Sequence, residues 1–233
     1  MSTYLSTGII QILIFAGVLM ALMQWLAVVK MPEARLRKPK PNKVTLKTKV
    51  INVVGNSAIA VIMLVSILYF GGDSLVYAAS NETSGMTIFG EMLAVLLVYD
   101  FMYYFSHRAM HHPKVMKQVH GVHHYIRYPT AFESVYVHPV EGIIGIGLLM
   151  LSLTMLGPVS ETSFLVAFFI YTSVNILVHA NIRLNHPVFK LANYWAVRHD
   201  IHHGTQLNKN YASIFPFFDQ FFDTNAVNKE EKS

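Results

Sequence analysis

The amino-acid sequence predicts an all-α fold, a multi-pass membrane helical bundle with about four to five spans. Apolar residues make up 53% of the 233 residues and charged residues only 13%, about half the charged share of a soluble domain. The chain also contains five apolar segments free of Lys and Arg, each long enough or nearly long enough to cross a bilayer. It has no cysteine, which excludes disulfides and thiolate-ligated metal sites.

The first two apolar segments are uncharged and match the length of membrane spans. Residues 8–29 and 50–70 are 22 and 21 residues long, and about 20 residues cross a bilayer core. A secretory signal peptide is the alternative for 8–29, but the basic start and the small-residue cleavage site are missing. The loop 31–49 between them, with Lys30, holds eight basic residues. Because it is short and lies between apolar segments, it favours anionic lipid head groups over nucleic acid.

The later apolar segments complete the predicted bundle. The third covers 88–106 and contains two carboxylates, which are costly in lipid and therefore predicted to face protein or water. The pair 140–157 and 162–178 forms either a full transmembrane hairpin or a shallower re-entrant pair. We predict two domains: 1–87 supplies two spans and the basic loop, and 88–233 supplies the remainder.

The positive charges predict the orientation of the chain. All 18 Lys and Arg residues lie in three segments, 30–49, 107–139 and 180–233. Alternating spans place these segments on one side of the membrane, and the positive-inside rule identifies that side as the cytoplasm. The sequence therefore predicts an integral, multi-pass membrane protein with a cytosolic cap.

Nine of the 12 histidines lie in three boxes, H-R-A-M-H-H at 107–112, H-G-V-H-H at 120–124 and H-D-I-H-H at 199–203. Residues three or four apart share a helical face, so each box can direct two or three imidazoles to one side. Imidazole suits iron, zinc, copper and nickel. Because eight or nine ligands are too many for one ion, the boxes predict a dimetal site in the cap. The predicted ligands are His107, His111, His112, His120, His123, His124, His179, His199, His202 and His203.

Carboxylates near the boxes are candidates for orienting a ligand from behind. These candidates are Asp100, Glu141 and Asp200. Asp100 precedes His107 by seven residues and shares its helical face; the alternative is a buried carboxylate that contacts Tyr103 or Arg108. His138 is interpreted as a ligand, a side chain behind the site or a side chain at the membrane interface, with the last two together favoured over the first, and His186 as a loop residue.

The boxes and the motifs around them resemble the fatty acid hydroxylase/sterol desaturase superfamily of membrane di-iron enzymes. The resemblance covers about 100–224 and includes, besides the boxes, D-F-M-Y-Y-F-S before His107, H-P-V-E at 138–141, H-A-N-I-R-L at 179–184, N-Y-A-S at 210–213 and F-D-Q-F-F-D-T at 218–224. Some members have a histidine where this chain has Arg183, a Trp-Asp where it has Phe218-Asp219, and a glycine where it has Ala212.

The resemblance implies a bundle of four to five spans whose cytosolic cap holds two iron ions, with most ligands from the nine box histidines and a further family histidine at His179. It implies O2 as co-substrate and attack on an unactivated C–H bond of a lipid, such as a sterol or fatty acyl chain, to give an alcohol or an alkene. The sequence contains no H-P-G-G haem motif. Electrons are therefore expected from a separate reductase, cytochrome b5-like or ferredoxin-type donor.

Two other classes of function compete with this interpretation. A metal-dependent membrane hydrolase would carry H-E-x-x-H, but no box contains that glutamate, and the only acidic residue within a box is Asp200. A membrane metal-binding or transport protein would place ligands along a path through the spans, whereas here the boxes follow the ends of spans. No nucleic-acid partner is expected.

Overall fold

The structure, a computed structural model, describes residues 1–38, 43–78, 83–204 and 206–226 and is all-α apart from one short strand pair. The helices are α1 (Thr3–Trp25), α2 (Leu46–Gly71), α3 (Gly85–Met110), α4 (Pro113–Val115), α5 (Gly121–His124), α6 (Pro139–Leu156), α7 (Glu161–Val178), α8 (Lys190–Gly204) and α9 (Phe217–Phe221). The strands are β1 (Val76–Tyr77) and β2 (Val159–Ser160). Single π-helical turns cover Leu26–Lys30 and Met116–His120, and 3-10 turns cover Pro32–Ala34, Gly72–Ser74, Ala131–Val135 and Pro187–Phe189.

Five helices of the described chain, α1, α2, α3, α6 and α7, are long and apolar enough to cross a membrane. They coincide with the five apolar segments of the sequence, so the predicted bundle is confirmed. Four of them begin at a hydroxyl side chain that accepts a backbone N–H three residues on, which satisfies one of the donors left free at a helix start. These capping residues are Ser2, Thr45, Ser84 and Ser160.

The central helix of the bundle is α3, which packs between α6 and α7. Outside these, α1 packs on α7 and α2 packs on α6. At 18 residues each, α6 and α7 are about 27 Å long, close to the roughly 30 Å of a bilayer core, which favours the full hairpin over the re-entrant pair. Ile14, Val54 and Ile62 are more than 60% exposed, as expected of side chains that contact lipid.

The parallel pair of β1 and β2 closes the end of the bundle at which α3 begins; in this pair Val76 lies opposite Val159. Glu91 of α3 lies beside this pair. Its carboxylate accepts the Ser160 backbone N–H at 2.8 Å and the Tyr77 and Ser163 hydroxyls at 2.7 Å each. Glu91 therefore faces protein, as its cost in lipid predicts.

The other end of the bundle carries a cap formed by 111–138 and 179–226, with residue 205 outside the described part. The segment after α1 joins this cap, because the Leu36 N–H donates to the Asn181 carbonyl at 3.2 Å. The middle of the basic loop, 39–42 with Pro39 and Pro41, lies outside the described residues. The domain boundary at residue 87 stays a prediction. In the structure, α1 and α2 pack directly on α7 and α6, which belong to the second predicted domain.

Candidate metal centre

Nine histidines of the described chain converge into two clusters at the cap. Within each cluster the nitrogen atoms that could bind a metal all lie within 4.8 Å of one another. The five-histidine cluster comprises His107, His111, His120, His124 and His202. The four-histidine cluster comprises His123, His179, His199 and His203. The structure thus brings together nine of the ten predicted ligands.

Helical spacing decides which cluster each histidine joins. The i, i+4 pairs of the first two boxes both face the five-histidine cluster, whereas the third box sends His199 and His203 to the four-histidine cluster. Neighbouring residues on a helix are rotated by about 100°. Two further box histidines, His123 and His202, therefore enter the opposite cluster from the pair beside them. His179 follows the last residue of α7.

Two histidines of the five-histidine cluster are oriented by backbone carbonyls. His107 Nδ1 lies 2.7 Å from the Tyr211 carbonyl oxygen, and His202 Nδ1 lies 2.6 Å from that of Lys209. Because a carbonyl can only accept, each Nδ1 carries the proton and each Nε2 presents a lone pair. Metal-bound histidines in proteins are held in this way.

The four-histidine cluster shows the same arrangement. His123 Nδ1–H donates to the Tyr136 carbonyl at 3.2 Å, and His179 Nδ1–H donates to the Asn175 carbonyl at 2.7 Å. The two Nε2 atoms, both lone-pair acceptors, are 3.1 Å apart. Two acceptors cannot form a hydrogen bond with each other, whereas a cation bound between them would make the contact favourable. The donor set therefore fits a metal.

Burial keeps the imidazoles neutral, which is the form that a metal binds. Desolvation lowers the pKa of His111 to about 3, of His120 to about 4 and of His179 to about 3. It also lowers, well below the usual range, the pKa of His124, His199, His202 and His203. At neutral pH the clusters thus present nitrogen lone pairs rather than positive charges.

Of the carboxylate candidates, Glu141 contacts a cluster histidine. Its Oε1 accepts from His120 Nδ1–H at 2.9 Å, and its Oε2 is buried without a hydrogen-bond partner among the described residues. Asp200 instead pairs with Arg37 Nε at 3.0 Å. The prediction that Asp200 stands behind a ligand was wrong, because its carboxylate lies on the side of α8 that meets the segment after α1.

Asp100 is buried, as the alternative interpretation predicts, but its hydrogen bonds include neither of the predicted contacts. Its carboxylate contacts neither a histidine nor Tyr103 or Arg108, and accepts the backbone N–H groups of 213–215 at 2.9, 3.0 and 2.7 Å. Helical periodicity alone could not show this, because the partners lie more than 110 residues away.

The structure does not bring His112 into either cluster. Its side chain is exposed, and its backbone is extended (φ −60°, ψ 134°). The reason is Pro113, which disfavours helical geometry in the residue before it, so the imidazole leaves the face of α3 that carries the other two histidines of the box. His138 caps α6 by accepting the Val140 N–H, and the exposed His186 caps the turn before α8.

Sequence reasoning missed the carbonyl partners of the ligands. We call residues 209–216 the C-terminal strap; its Lys209 and Tyr211 carbonyls accept hydrogen bonds from two imidazoles of the five-histidine cluster. Every residue has a carbonyl, so these partners leave no compositional signal. The N-Y-A-S motif at 210–213 marks the segment without revealing its contact.

A small cavity of about 20 Å³ touches both clusters. It contacts His107 of the five-histidine cluster and His179 and His199 of the other. Its remaining walls include Tyr103 of α3 and Trp195 of α8. A volume of this order holds one water-sized molecule, so the cavity provides a place where a small reactant can meet both sets of imidazoles.

Comparison with known families agrees with this geometry. The family model described as fatty acid hydroxylase matches residues 92–224, more than half of the chain, and this range contains both clusters. No solved structure matches the chain.

Several curated proteins are similar to the same part of the chain. Methylsterol monooxygenase 1 of Danio rerio is 31% identical over 132 residues, 56% of this chain and 45% of the relative. Methylsterol monooxygenase 2-2 of Arabidopsis thaliana is 30% identical over 143 residues, which are 58% of this chain and 52% of the relative. A very-long-chain aldehyde decarbonylase of Oryza sativa subsp. indica is 30% identical over 155 residues, 63% and 56%.

The chain spans about half the length of these relatives. The five long apolar helices of the described chain identify it as an integral membrane protein. With a family match that covers more than half of its length and two histidine clusters at one end of a helical bundle, the chain belongs to the fatty acid hydroxylase family.

Proposed function

We propose that this protein is an iron-dependent, O2-using membrane oxidoreductase that hydroxylates or desaturates a lipid at an unactivated C–H bond. The observation that carries the proposal is the pair of histidine clusters. In each cluster, Nδ1–H donation to backbone carbonyls turns Nε2 lone pairs toward one another. Family membership and the names of the relatives support the choice of an oxygenase.

Two iron ions suit this donor set. Nine imidazoles exceed the six positions of a single octahedral ion, and an all-nitrogen set without thiolates is acceptable to iron. The chemistry that bound iron supplies is the reductive activation of O2 for cleavage of a C–H bond. The described histidines of the two clusters would hold the ions, five for one and four for the other.

The protein's part in the reaction is orientation and exclusion of water. The strap carbonyls and the Glu141 carboxylate fix the rings of three ligands, and burial strengthens electrostatic contacts around them. Hydroxylation consumes one C–H bond, O2, two electrons and two protons and yields an alcohol and water. Desaturation consumes two C–H bonds with the same electrons and protons and yields an alkene and two waters.

The substrate we propose is a lipid that enters from the bilayer. Apolar helices lie directly beneath the clusters, and the 20 Å³ cavity admits a diatomic molecule but no sterol or acyl chain without movement of its walls. Methylsterols are the first class to test, since two of the relatives are methylsterol monooxygenases by name. Very-long-chain aldehydes come second, because a third relative is named for them.

We further propose that the cap faces the cytoplasm and receives electrons from a separate donor protein. The basic segments support this orientation through the positive-inside rule. The competing transport function would require ligands along the spans, but the two clusters of the described chain lie together at one end of the bundle. The sequence also lacks the glutamate base of an H-E-x-x-H hydrolase.

Metal content, O2 consumption and isotope incorporation test the proposal together. Protein purified in detergent after iron-replete expression is analysed for metals and then incubated with a 4-methylsterol, a reductant and ¹⁸O2. About two irons per chain and ¹⁸O in the sterol product would establish hydroxylation. An alkene without ¹⁸O would establish desaturation.

Adjacent histidines provide the matched control. His111 belongs to the five-histidine cluster and the exposed His112 does not. We expect His111→Ala to abolish product formation and His112→Ala to retain it. Redox-silent zinc with product formed without O2 uptake would contradict the oxygenase proposal and favour a hydrolase.

A further inference from the structure

Two buried carboxylates hold five consecutive backbone N–H groups of the C-terminal strap. Asp219 accepts from Tyr211 at 2.8 Å and from Ala212 at 3.0 Å. Asp100 of α3 accepts from residues 213–215 at 2.9, 3.0 and 2.7 Å. Both carboxylates are 0% exposed. Buried amides need partners, and this strap, which lacks regular secondary structure, finds them in side chains.

The two carboxylates tie the strap to α3 and α8, the helices of His107 and His202 in the five-histidine cluster. Asp100 lies on α3, the helix of His107. Asp219 also accepts from Arg198 Nη2 at 2.9 Å, and Arg198 lies on α8, the helix of His202. The strap is therefore fixed to both helices through charge-assisted hydrogen bonds, which are stronger than neutral ones.

The contacts of the strap reach the metal ligands directly. The Tyr211 N–H donates to Asp219, and the Tyr211 carbonyl accepts a hydrogen bond from His107 Nδ1. The nearby Lys209 carbonyl accepts one from His202 Nδ1. A shift of the strap would thus change the directions of two of the five imidazoles. In the four-histidine cluster, the Nδ1 partners that the structure shows are carbonyls outside the strap.

We infer that Asp100 and Asp219 are positioning residues for the five-histidine cluster alone, acting through the strap. This inference rests on the proposed metal binding and adds that the two metal positions depend on different parts of the chain. It also gives the tail motif F-D-Q-F-F-D-T a role. Its first aspartate, Asp219, accepts the Thr224 hydroxyl at 2.8 Å, and the Thr224 carbonyl accepts the Asn210 N–H at 2.8 Å.

Iron release from each cluster tests the inference. Detergent-purified protein loaded with ferrous iron is mixed with a coloured ferrous chelator, and release is followed as two phases. The His179→Ala variant lacks a ligand of the four-histidine cluster and identifies the phase of that cluster. Loss of a contact behind a metal ligand typically weakens binding by about 10- to 100-fold. For Asp100→Asn we expect release from the five-histidine cluster about tenfold faster and the other phase unchanged.

Glu91 is a matched control. It is another carboxylate of α3 that accepts a backbone N–H and hydroxyl hydrogen bonds, but at the opposite end of the bundle. Glu91→Gln should leave both phases unchanged. Equal acceleration of both phases by Asp100→Asn, or unchanged release in that variant, would overturn the inference.

A milder variant covers the case in which Asp100→Asn does not fold. Thr224→Val removes one hydrogen bond to Asp219 at nearly constant volume, and we expect a smaller acceleration of the same single phase. Unchanged release in Thr224→Val would then overturn the inference. Wild-type protein that binds no iron would overturn the proposed function itself, which separates the two failures.

Discussion

Acidification should destabilise the metal-free cap much more than the iron-loaded cap. Burial lowers the pKa of His120 to about 4 and of His179 to about 3, whereas an unfolded histidine titrates near 6.5. The unfolded chain therefore binds more protons than the folded one between these values. Stability is fully present above about pH 6.5 and is lost as the pH falls toward the folded pKa.

The size of the effect follows from the pKa difference. A pH of about 5 lies roughly 1.5 units below the pKa of an unfolded histidine. At that pH, each imidazole that the fold keeps neutral lowers the free energy of unfolding by about 2 kcal/mol. The two histidines together cost about 4 kcal/mol, a large part of the roughly 5–15 kcal/mol that stabilises a typical domain. The remaining cluster histidines outside the spans shift in the same direction and add to the loss. At roughly 2–4 °C per kcal/mol, the thermal midpoint should fall by about 8–16 °C or more.

Tryptophan fluorescence provides the assay. The sequence has two tryptophans, and Trp195 lies in the cap with its indole N–H donating to the Ile214 carbonyl at 3.0 Å. A Trp25→Phe background leaves Trp195 as the reporter of cap unfolding. Because bound iron stabilises the neutral imidazoles, the thermal midpoint of the iron-loaded protein should fall less on acidification than that of the metal-free protein. An equal midpoint at neutral and acidic pH in the metal-free protein would refute the reasoning, and the exposed His186→Gln variant should behave as the wild type.

Three further results are expected. His123→Ala and His202→Ala should each abolish activity with the protein still in the membrane, and each should lose mainly the metal of its own cluster; retained turnover in either variant would contradict the ligand assignment. Glu141→Gln should weaken metal binding at the five-histidine cluster by about 10- to 100-fold, measured by competition with a chelator. Because the chain has no cysteine, Lys117→Cys in the cap and Ser74→Cys at the opposite end can report topology. An impermeant thiol reagent added outside intact cells should label Ser74→Cys alone.

The bundle could be predicted from the sequence because its signals are local. A run of apolar residues spans a bilayer whatever it packs against, and hydroxyl residues such as Ser84 begin helices through contacts three residues away. The order of packing, with α3 between α6 and α7, could not be predicted. In segments that are apolar all round, sequence shows no face that must turn toward a neighbour.

The convergence of the histidines could be predicted for a similar reason. Helical spacing alone places His107 beside His111 and His199 beside His203. His112 shows the limit of pattern reading, since it completes a box in sequence but the following proline removes it from the helix. The role of Asp100 depends on a strap more than 110 residues away, and no local periodicity carries that information.

Local helical spacing and contacts between segments far apart in sequence have different consequences for metal binding. The predicted ligands lie on three short segments and at the end of α7, whereas two of their imidazoles donate to carbonyls near the end of the described chain. A chain that ended before Lys209 would keep every predicted histidine and lose both of these carbonyls. The histidine boxes therefore predict that a metal binds, and we expect the affinity of the five-histidine cluster to depend as well on the strap and on the aspartates that hold it.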